Sequence, residues 1–181
     1  ELISEASRIF GSSTIVVSID AIKRPEGHYE AITDYGRERT GVDACEWAIR
    51  AIELGAGELI ITAIDREGTG RGFDLELTRQ IAESVPVPVI ASGGAGRVEH
   101  VHQVIEEASA DAVSVASLVH YECFGLFEYD DQEFSREGNT VYMKSGSDSS
   151  RINPIAIPEI KSHLIDAGID CRPTEKVLAD G

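Results

Sequence analysis

Two carboxylates close apolar runs in this sequence, where VSID ends on Asp20 and TAID ends on Asp65. A carboxylate at the end of a buried strand can act as a general acid or base. It can equally form a salt bridge, as Asp20 could with Lys23 or Arg24, and position alone does not separate the two roles. Asp65 precedes three alternating glycines within 68–72, which favours a role in orienting that loop.

A different chemistry is indicated by SGGAG at 92–96, which follows an apolar run and opens a helical pattern. Free backbone N–H groups in such a loop can hold a phosphate. The alternative is a tight glycine turn without a ligand. Ser117 ends the next apolar run and could start or cap a helix aimed at the same anion. Thr62, three residues before Asp65, would point into the same rim.

The overall charge sets limits on the partners. Asp and Glu number 32 against 16 Lys and Arg, a net charge of -16, which argues against nucleic acid and anionic membranes. Any phosphate site must therefore be built locally. The histidines show no metal-ligand spacing, so we expect no metal and no cofactor. Three cysteines without a CxxC pair and no long apolar stretch predict a cytoplasmic protein.

These residues depend on four apolar runs, at 13–20, 58–65, 86–92 and 111–117, separated by helical patterns. The runs predict parallel strands buried on both faces in βα units, with Asp20, Asp65, Ser92 and Ser117 on one rim. The long 21–43 stretch predicts a lid. Residues 1–181 are predicted to form one domain, interrupted at 121–155 by an insertion or long loop with a hairpin near 137–139. A last helix is expected over 158–168.

Five motifs in order carry a resemblance to a known family: VSIDA, TGVDACEWA, GAGELIITAIDREGT, VIASGGAG followed by EH, and ADAVSVASLVH. Together they resemble the C-terminal half of the cyclase subunit of imidazole glycerol phosphate synthase, over about residues 2–120 and 155–172. That family is a (βα)8 barrel of two similar halves. The related ribotide isomerase shares the fold and its phosphate loops, but TGVDACEWA and GGAGRVEH favour the cyclase.

The resemblance implies a lyase of histidine biosynthesis. Such an enzyme combines a phosphoribulosyl-formimino ribotide with ammonia and yields imidazole glycerol phosphate and an aminoimidazole carboxamide ribotide. A glutaminase subunit docked on the opposite barrel face supplies the ammonia. By position, Asp20 matches a catalytic aspartate and Glu58 an acidic residue of the ammonia gate. Substrate and phosphate contacts fall on Thr62, Gly68, Thr69, Ser92, Gly93, Gly94 and Ser117.

The sequence also departs from the family pattern. Glu67 stands where the family usually has Asp, IDAIKR has one residue more than IDAKR, and 121–155 has no counterpart. The family's first four βα units are not among these residues. We therefore expect a half-barrel that needs a first-half chain, or a copy of itself, for activity. A non-catalytic phosphate-binding or assembly module is the alternative.

Overall fold

The computed structural model describes residues 1–34, 36–126 and 151–173. Its strands form one sheet in the order β3-β2-β1-β4-β5-β6, in which β1, β4, β5 and β6 run parallel. The strands are β1 Val16–Lys23, β2 Tyr29–Thr33, β3 Glu38–Asp43, β4 Glu58–Ala63, β5 Val89–Ser92 and β6 Ala112–Ser114. The helices are α1 Leu2–Phe10, α2 Ala44–Glu53, α3 Leu75–Ser84, α4 Val98–Ala108, α5 Ser117–Leu126 and α6 Ile157–Asp166, with a 3-10 turn at Ser12–Thr14.

The four parallel strands alternate between two faces, as the pleat of a strand requires. On one face, the helix face, Ile19, Leu59 and Val89 are at most 2% exposed and pack with residues of α2 and α3. The opposite face, the inner face, leaves Val16 45% exposed and Ile60 and Ile90 only half-buried. The prediction of parallel βα units is confirmed. Burial on both faces is wrong for the described residues, because helices cover one face and the sheet stays open.

An open sheet of this topology is consistent with part of a (βα)8 barrel. In a closed barrel the inner face would be filled by side chains from all the strands. Here the four parallel strands supply only part of that lining, and none of the described strands joins β3 to β6. The structure therefore has the α/β fold class expected from the sequence, as part of a barrel whose sheet is not closed.

The predicted lid is a β-hairpin. Strands β2 and β3 form it, at 29–33 and 38–43, and β2 pairs antiparallel with the end of β1 so that Ile32 lies opposite Asp20. Strand β1 therefore continues to Lys23, and Asp20 lies within it, three residues before its end. The strand end expected at Asp20 is wrong, because Ala21, Ile22 and Lys23 extend the strand by pairing with β2.

A buried ion cluster fixes this hairpin. Glu30 is 2% exposed, and its carboxylate accepts hydrogen bonds from the guanidinium groups of Arg24 and Arg39. The backbone N–H of Gly41 adds a third donor at 2.9 Å. These donors, Arg39 first and then Arg24, lower the pKa of Glu30 to about 2. Two strand residues and a turn residue are thereby tied to one carboxylate.

Acid should weaken this cluster. Because the folded-state pKa of Glu30 lies below its unfolded value, its contribution to stability is present above pH about 4.5 and is lost as the pH falls toward about 2. We expect Glu30→Gln to lower the urea midpoint at pH 6, and the gap between parent and variant to close between pH 5 and 2. Chemical denaturation of both chains at each pH measures this, and a gap that stays constant with pH would contradict it.

Aspartate caps start two of the helices at the sheet. Asp43 accepts hydrogen bonds from the N–H groups of Cys45 and Glu46 at the start of α2. Asp74 accepts from the N–H of Leu77 in α3 and from the hydroxyl of Tyr29, at 3.0 and 2.8 Å. Burial, followed by the hydrogen bond to Asp74, raises the pKa of Tyr29, which remains a donor. This bond ties the hairpin to α3.

The predicted insertion is described only at its ends. Residues 121–126 belong to α5, whereas 127–150, with the hairpin expected near 137–139, lie outside the described residues. From residue 151 the chain is described again: Ile152 is buried, and the Asn153 N–H donates to the Gly96 carbonyl at 2.6 Å. The expected last helix is present as α6, with Pro158 in its first turn. Within the described ranges, every helix is too short or too polar to cross a membrane.

Candidate functional site

One row of polar side chains crosses the inner face of the sheet. The strand register places Asp20 opposite Thr62, Thr62 opposite Ser92, and Ser92 opposite Ser114. Successive strands lie about 4.8 Å apart, so Asp20 and Ser114 are separated by roughly 14 Å. Side chains in register share a face. The row therefore offers a carboxylate at one side of the sheet and hydroxyls at the other.

A pocket of about 200 Å³ opens at the Ser114 end of this row. Three loop segments line it, 67–68, 92–95 and 114–117, and we call it the phosphate-loop pocket. Helix α5 begins at Ser117 in its wall, where the first N–H groups of a helix have no partner within the helix. Predicted residues Gly68, Ser92, Gly93, Gly94 and Ser117 all line this pocket. Their convergence depends on three separate βα loops.

Two glycine loops interlock behind the pocket. A side chain on Gly94 would place its Cβ 2.3 Å from the Gly72 carbonyl oxygen, and one on Gly96 would come within 2.4 Å of the Gly70 oxygen. The Gly72 N–H also donates to the Gly94 carbonyl at 2.8 Å. Gly70 and Gly72 thus permit contact between backbones, whereas Gly68 lines the pocket itself.

The other predicted residues of the 62–72 segment take different positions. Thr62 is 8% exposed within the polar row, and Asp65 is exposed in the turn after β4. The Thr69 hydroxyl donates to the Arg66 carbonyl at 2.6 Å and accepts from the Arg71 N–H, so it holds its own loop. Glu67, the departure from the family's usual Asp, lines the phosphate-loop pocket.

Asp20 lies beside a second pocket, of about 240 Å³, between β1 and the hairpin. Apolar and hydroxyl groups line it with Asp20, among them Ile32, Thr40 and Trp47. Both basic residues considered as salt-bridge partners for Asp20 are engaged elsewhere: Lys23 pairs with Glu76 and Arg24 with Glu30. The half-buried carboxylate of Asp20 therefore faces a cavity rather than either of these cations.

Glu58 lies at the opposite end of the sheet. It begins β4 on the inner face, paired with Val16, and precedes Thr62 by four residues. At about 3.3 Å per residue it is roughly 13 Å below the polar row. Glu58 and Thr62 thus lie on the same face of β4, toward its two ends. Among the described residues, no group of three His, Cys, Asp or Glu side chains could hold a metal ion.

Comparison with known proteins identifies the family of this chain. A family model described as "Histidine biosynthesis protein" matches residues 1–124, more than half of the chain. The chain belongs to this histidine biosynthesis family. The match includes all six strands and the start of α5, and thus every predicted site residue.

Two curated relatives carry the same name, "Imidazole glycerol phosphate synthase subunit HisF". The protein from Lachnoclostridium phytofermentans is 53% identical over 121 residues, which cover 66% of this chain and 47% of the relative. The protein from Pyrobaculum aerophilum is 52% identical over 126 residues, 70% of this chain and 49% of the relative. The chain thus spans about half the length of the curated relatives it matches.

Sequence reasoning missed one member of the polar row. Ser114 ends β6 and lines the phosphate-loop pocket, but the apolar run was expected to continue to Ser117. Ser117 instead is the first residue of α5, as the alternative of a helix start anticipated. The signal for Ser114 was present in the alternation DAVSVAS, where it stands two residues before Ala116 on the same side of an extended chain.

Proposed function

We propose that this chain is the C-terminal half-barrel of a cyclase of histidine biosynthesis. It would turn a phosphoribulosyl-formimino ribotide and ammonia into imidazole glycerol phosphate and an aminoimidazole carboxamide ribotide. The observation that carries the proposal is the polar row, with Asp20 at one end and the phosphate-loop pocket at the other. The relatives named as subunits of imidazole glycerol phosphate synthase support it.

Substrate binding divides between the two ends of the row. The phosphate-loop pocket would hold one phosphate through the N–H groups of the Gly93–Gly94 loop and the start of α5, because the net charge of -16 offers no general attraction to anions. Thr62 and Ser92 would contact the chain of atoms between that phosphate and the reacting centre. A substrate with two phosphates needs a second anion site, which the other half of a barrel would provide.

Asp20 is the residue to which we assign proton transfer. Attack of ammonia, closure of the imidazole ring and cleavage of a C–N bond each move protons. A carboxylate beside a pocket lined partly by Ile32 and Trp47 can accept and return them at one place. The ammonia would come from a glutaminase subunit at the far end of the sheet and pass Glu58.

Exposed apolar side chains on α1 and on the inner face indicate where a partner chain would bind. Helix α1 has no buried residue, and Leu2 and Phe10 on it are 80% and 67% exposed. Val16 on the inner face is 45% exposed. A first-half barrel chain would cover these side chains and complete the barrel, and self-association is the other possibility.

The cysteines bear on the cellular location. Free thiols at Cys45, Cys123 and Cys171 suit the reducing conditions of the cytoplasm.

A turnover assay on three samples tests the proposal: this chain alone, a first-half barrel chain alone, and both together. We expect ammonia-dependent consumption of the ribotide only in the mixture, and sedimentation of a 1:1 complex. Association without turnover would favour the non-catalytic assembly module. Isomerisation of a ribotide without any ammonia requirement would favour the related isomerase. A compact monomer that does not associate with the first-half chain would contradict the proposal of a half-barrel.

A further inference from the structure

A third, larger pocket lies outside the polar row, on the other side of the interlocked glycine loops. Its volume is about 500 Å³, and it shares no lining residue with the phosphate-loop pocket. We call it the arginine pocket, because three arginines line it. Its polar lining is Arg71, Arg97, His100, Arg151 and Asn153.

This concentration of cationic charge runs against the rest of the chain. Only 16 Lys and Arg accompany 32 Asp and Glu, yet three arginines from distant parts of the sequence meet at one pocket. Like charges that converge repel one another, so a counter-charge between them stabilises the arrangement. Within the described residues, Glu99 approaches Arg97 at 3.7 Å with both side chains more than half exposed, which is a weak surface pair.

Backbone contacts hold two of the arginines in place. Asn153 donates its N–H to the Gly96 carbonyl at 2.6 Å, which docks the 151–153 segment on the glycine loop. A Cβ on Gly96 would meet the Arg151 carbonyl oxygen at 2.6 Å, so the glycine permits this docking. Arg97 follows Gly96 directly and precedes α4. The positions of Arg97 and Arg151 thus follow from one tight junction.

His100 adds a neutral donor. The Gly96 N–H donates to its Nδ1 at 3.1 Å, so in the neutral ring the proton resides on Nε2. Burial, followed by the nearby Arg97 charge, lowers the pKa of His100 and keeps the ring neutral. The ring is 8% exposed and therefore fixed in orientation. A histidine ring and three arginines that line one pocket suit a ligand with many oxygen acceptors.

We propose that the arginine pocket binds a compact polyanion with two or more linked phosphate groups, such as pyrophosphate or the polyphosphate part of a larger molecule. The guanidinium group of arginine can donate two parallel hydrogen bonds to the oxygens of one phosphate. Three arginines therefore suit a ligand with more than one phosphate. The lining residues that the structure describes include no Phe, Tyr or Trp, so the proposal rests on charge rather than on stacking against a base. This site is separate from the one proposed for the substrate.

Calorimetric titration with inorganic pyrophosphate tests the proposal. Both pockets attract phosphate, so the reference chain carries Ser117→Asp, which places a carboxylate in the phosphate-loop pocket alone. We expect this chain to bind pyrophosphate at one site, and added Arg71→Gln or Arg151→Gln to weaken that binding about 10-fold each. Affinity should also fall with added salt.

Arg37→Gln in the same reference chain is the matched control, because Arg37 is exposed in the turn before β3 and is not among the lining residues of the arginine pocket. It should leave pyrophosphate affinity unchanged. Circular dichroism of each variant checks folding. Absence of binding in the Ser117→Asp chain would overturn the proposal, because the arginine pocket is intact there and would hold no pyrophosphate. Equal affinities in Arg71→Gln, Arg151→Gln and Arg37→Gln would overturn it as well.

Discussion

Replacing Asp20 by Asn is expected to lower turnover of the assembled barrel by roughly 10²–10⁴-fold, the scale of general acid–base catalysis. The amide keeps the size of the side chain and removes its ability to accept a proton. Asp20 lies at one end of the polar row, but its strand pairs with a neighbour on each side, so the substitution leaves the backbone in place. The measurement is ammonia-dependent turnover after addition of a first-half chain.

Phosphate affinity measured on the same Asp20→Asn variant separates chemistry from structure. The phosphate-loop pocket begins two strands away, so its affinity should be unchanged. Asp166→Asn, at the exposed end of α6, is the matched control and should retain full turnover. If Asp20 only supports the strand, Asp20→Asn would alter the urea midpoint and leave turnover within a few-fold. That outcome would end its assignment as the proton-transfer residue.

The second large effect concerns the phosphate-loop pocket, where Ser117→Asp should reduce affinity for phosphate or a phosphosugar by roughly 100-fold. Two like charges about 5 Å apart at an effective dielectric constant near 20 repel by about 3 kcal/mol. Asp in the first turn of a helix is favoured by the helix dipole, so α5 should still form. Calorimetry with inorganic phosphate and with a phosphosugar gives the affinities.

Ser117→Ala is the neutral control for this experiment. It removes one hydroxyl and should cost about 5-fold, the usual scale of one hydrogen bond. Gly94→Asp should also abolish phosphate binding, but its effect would combine the added charge with a change in the loop structure. Its Cβ would come within 2.3 Å of the Gly72 oxygen at a backbone φ of +107°, so the interlocked loops would have to move. Unchanged phosphate affinity in both Ser117→Asp and Gly94→Asp would refute the site.

The sequence by itself determined the parallel βα units, their order and the loops that carry the candidate site. These features are local in origin. Buried strands need apolar runs such as ELIITA, a loop as tight as SGGAG needs glycine, and a crossover helix needs its own apolar stripe. The last helix at Ile157–Asp166 was found for the same reason, because Pro158 and Gly168 bracket it.

Longer-range features were decided only by the tertiary structure. The 29–43 stretch is a hairpin rather than a loose lid because Glu30 is buried against Arg24 and Arg39, a pairing that the periodicity of a strand does not encode. The polar row depends on register between strands, which brought Ser114 into line with Ser92.

Contact between the two glycine loops is another feature that only the tertiary structure decided. Alternation of glycines in 68–72 does not by itself reveal that Gly70 and Gly72 admit the backbone of another loop. The arginine pocket joins residues 71, 97 and 151, which are distant in the chain. Local patterns in a sequence report the conformation of a segment and the face it buries. Which segments then meet, and in what register, is set by packing and charge pairing across the whole sheet.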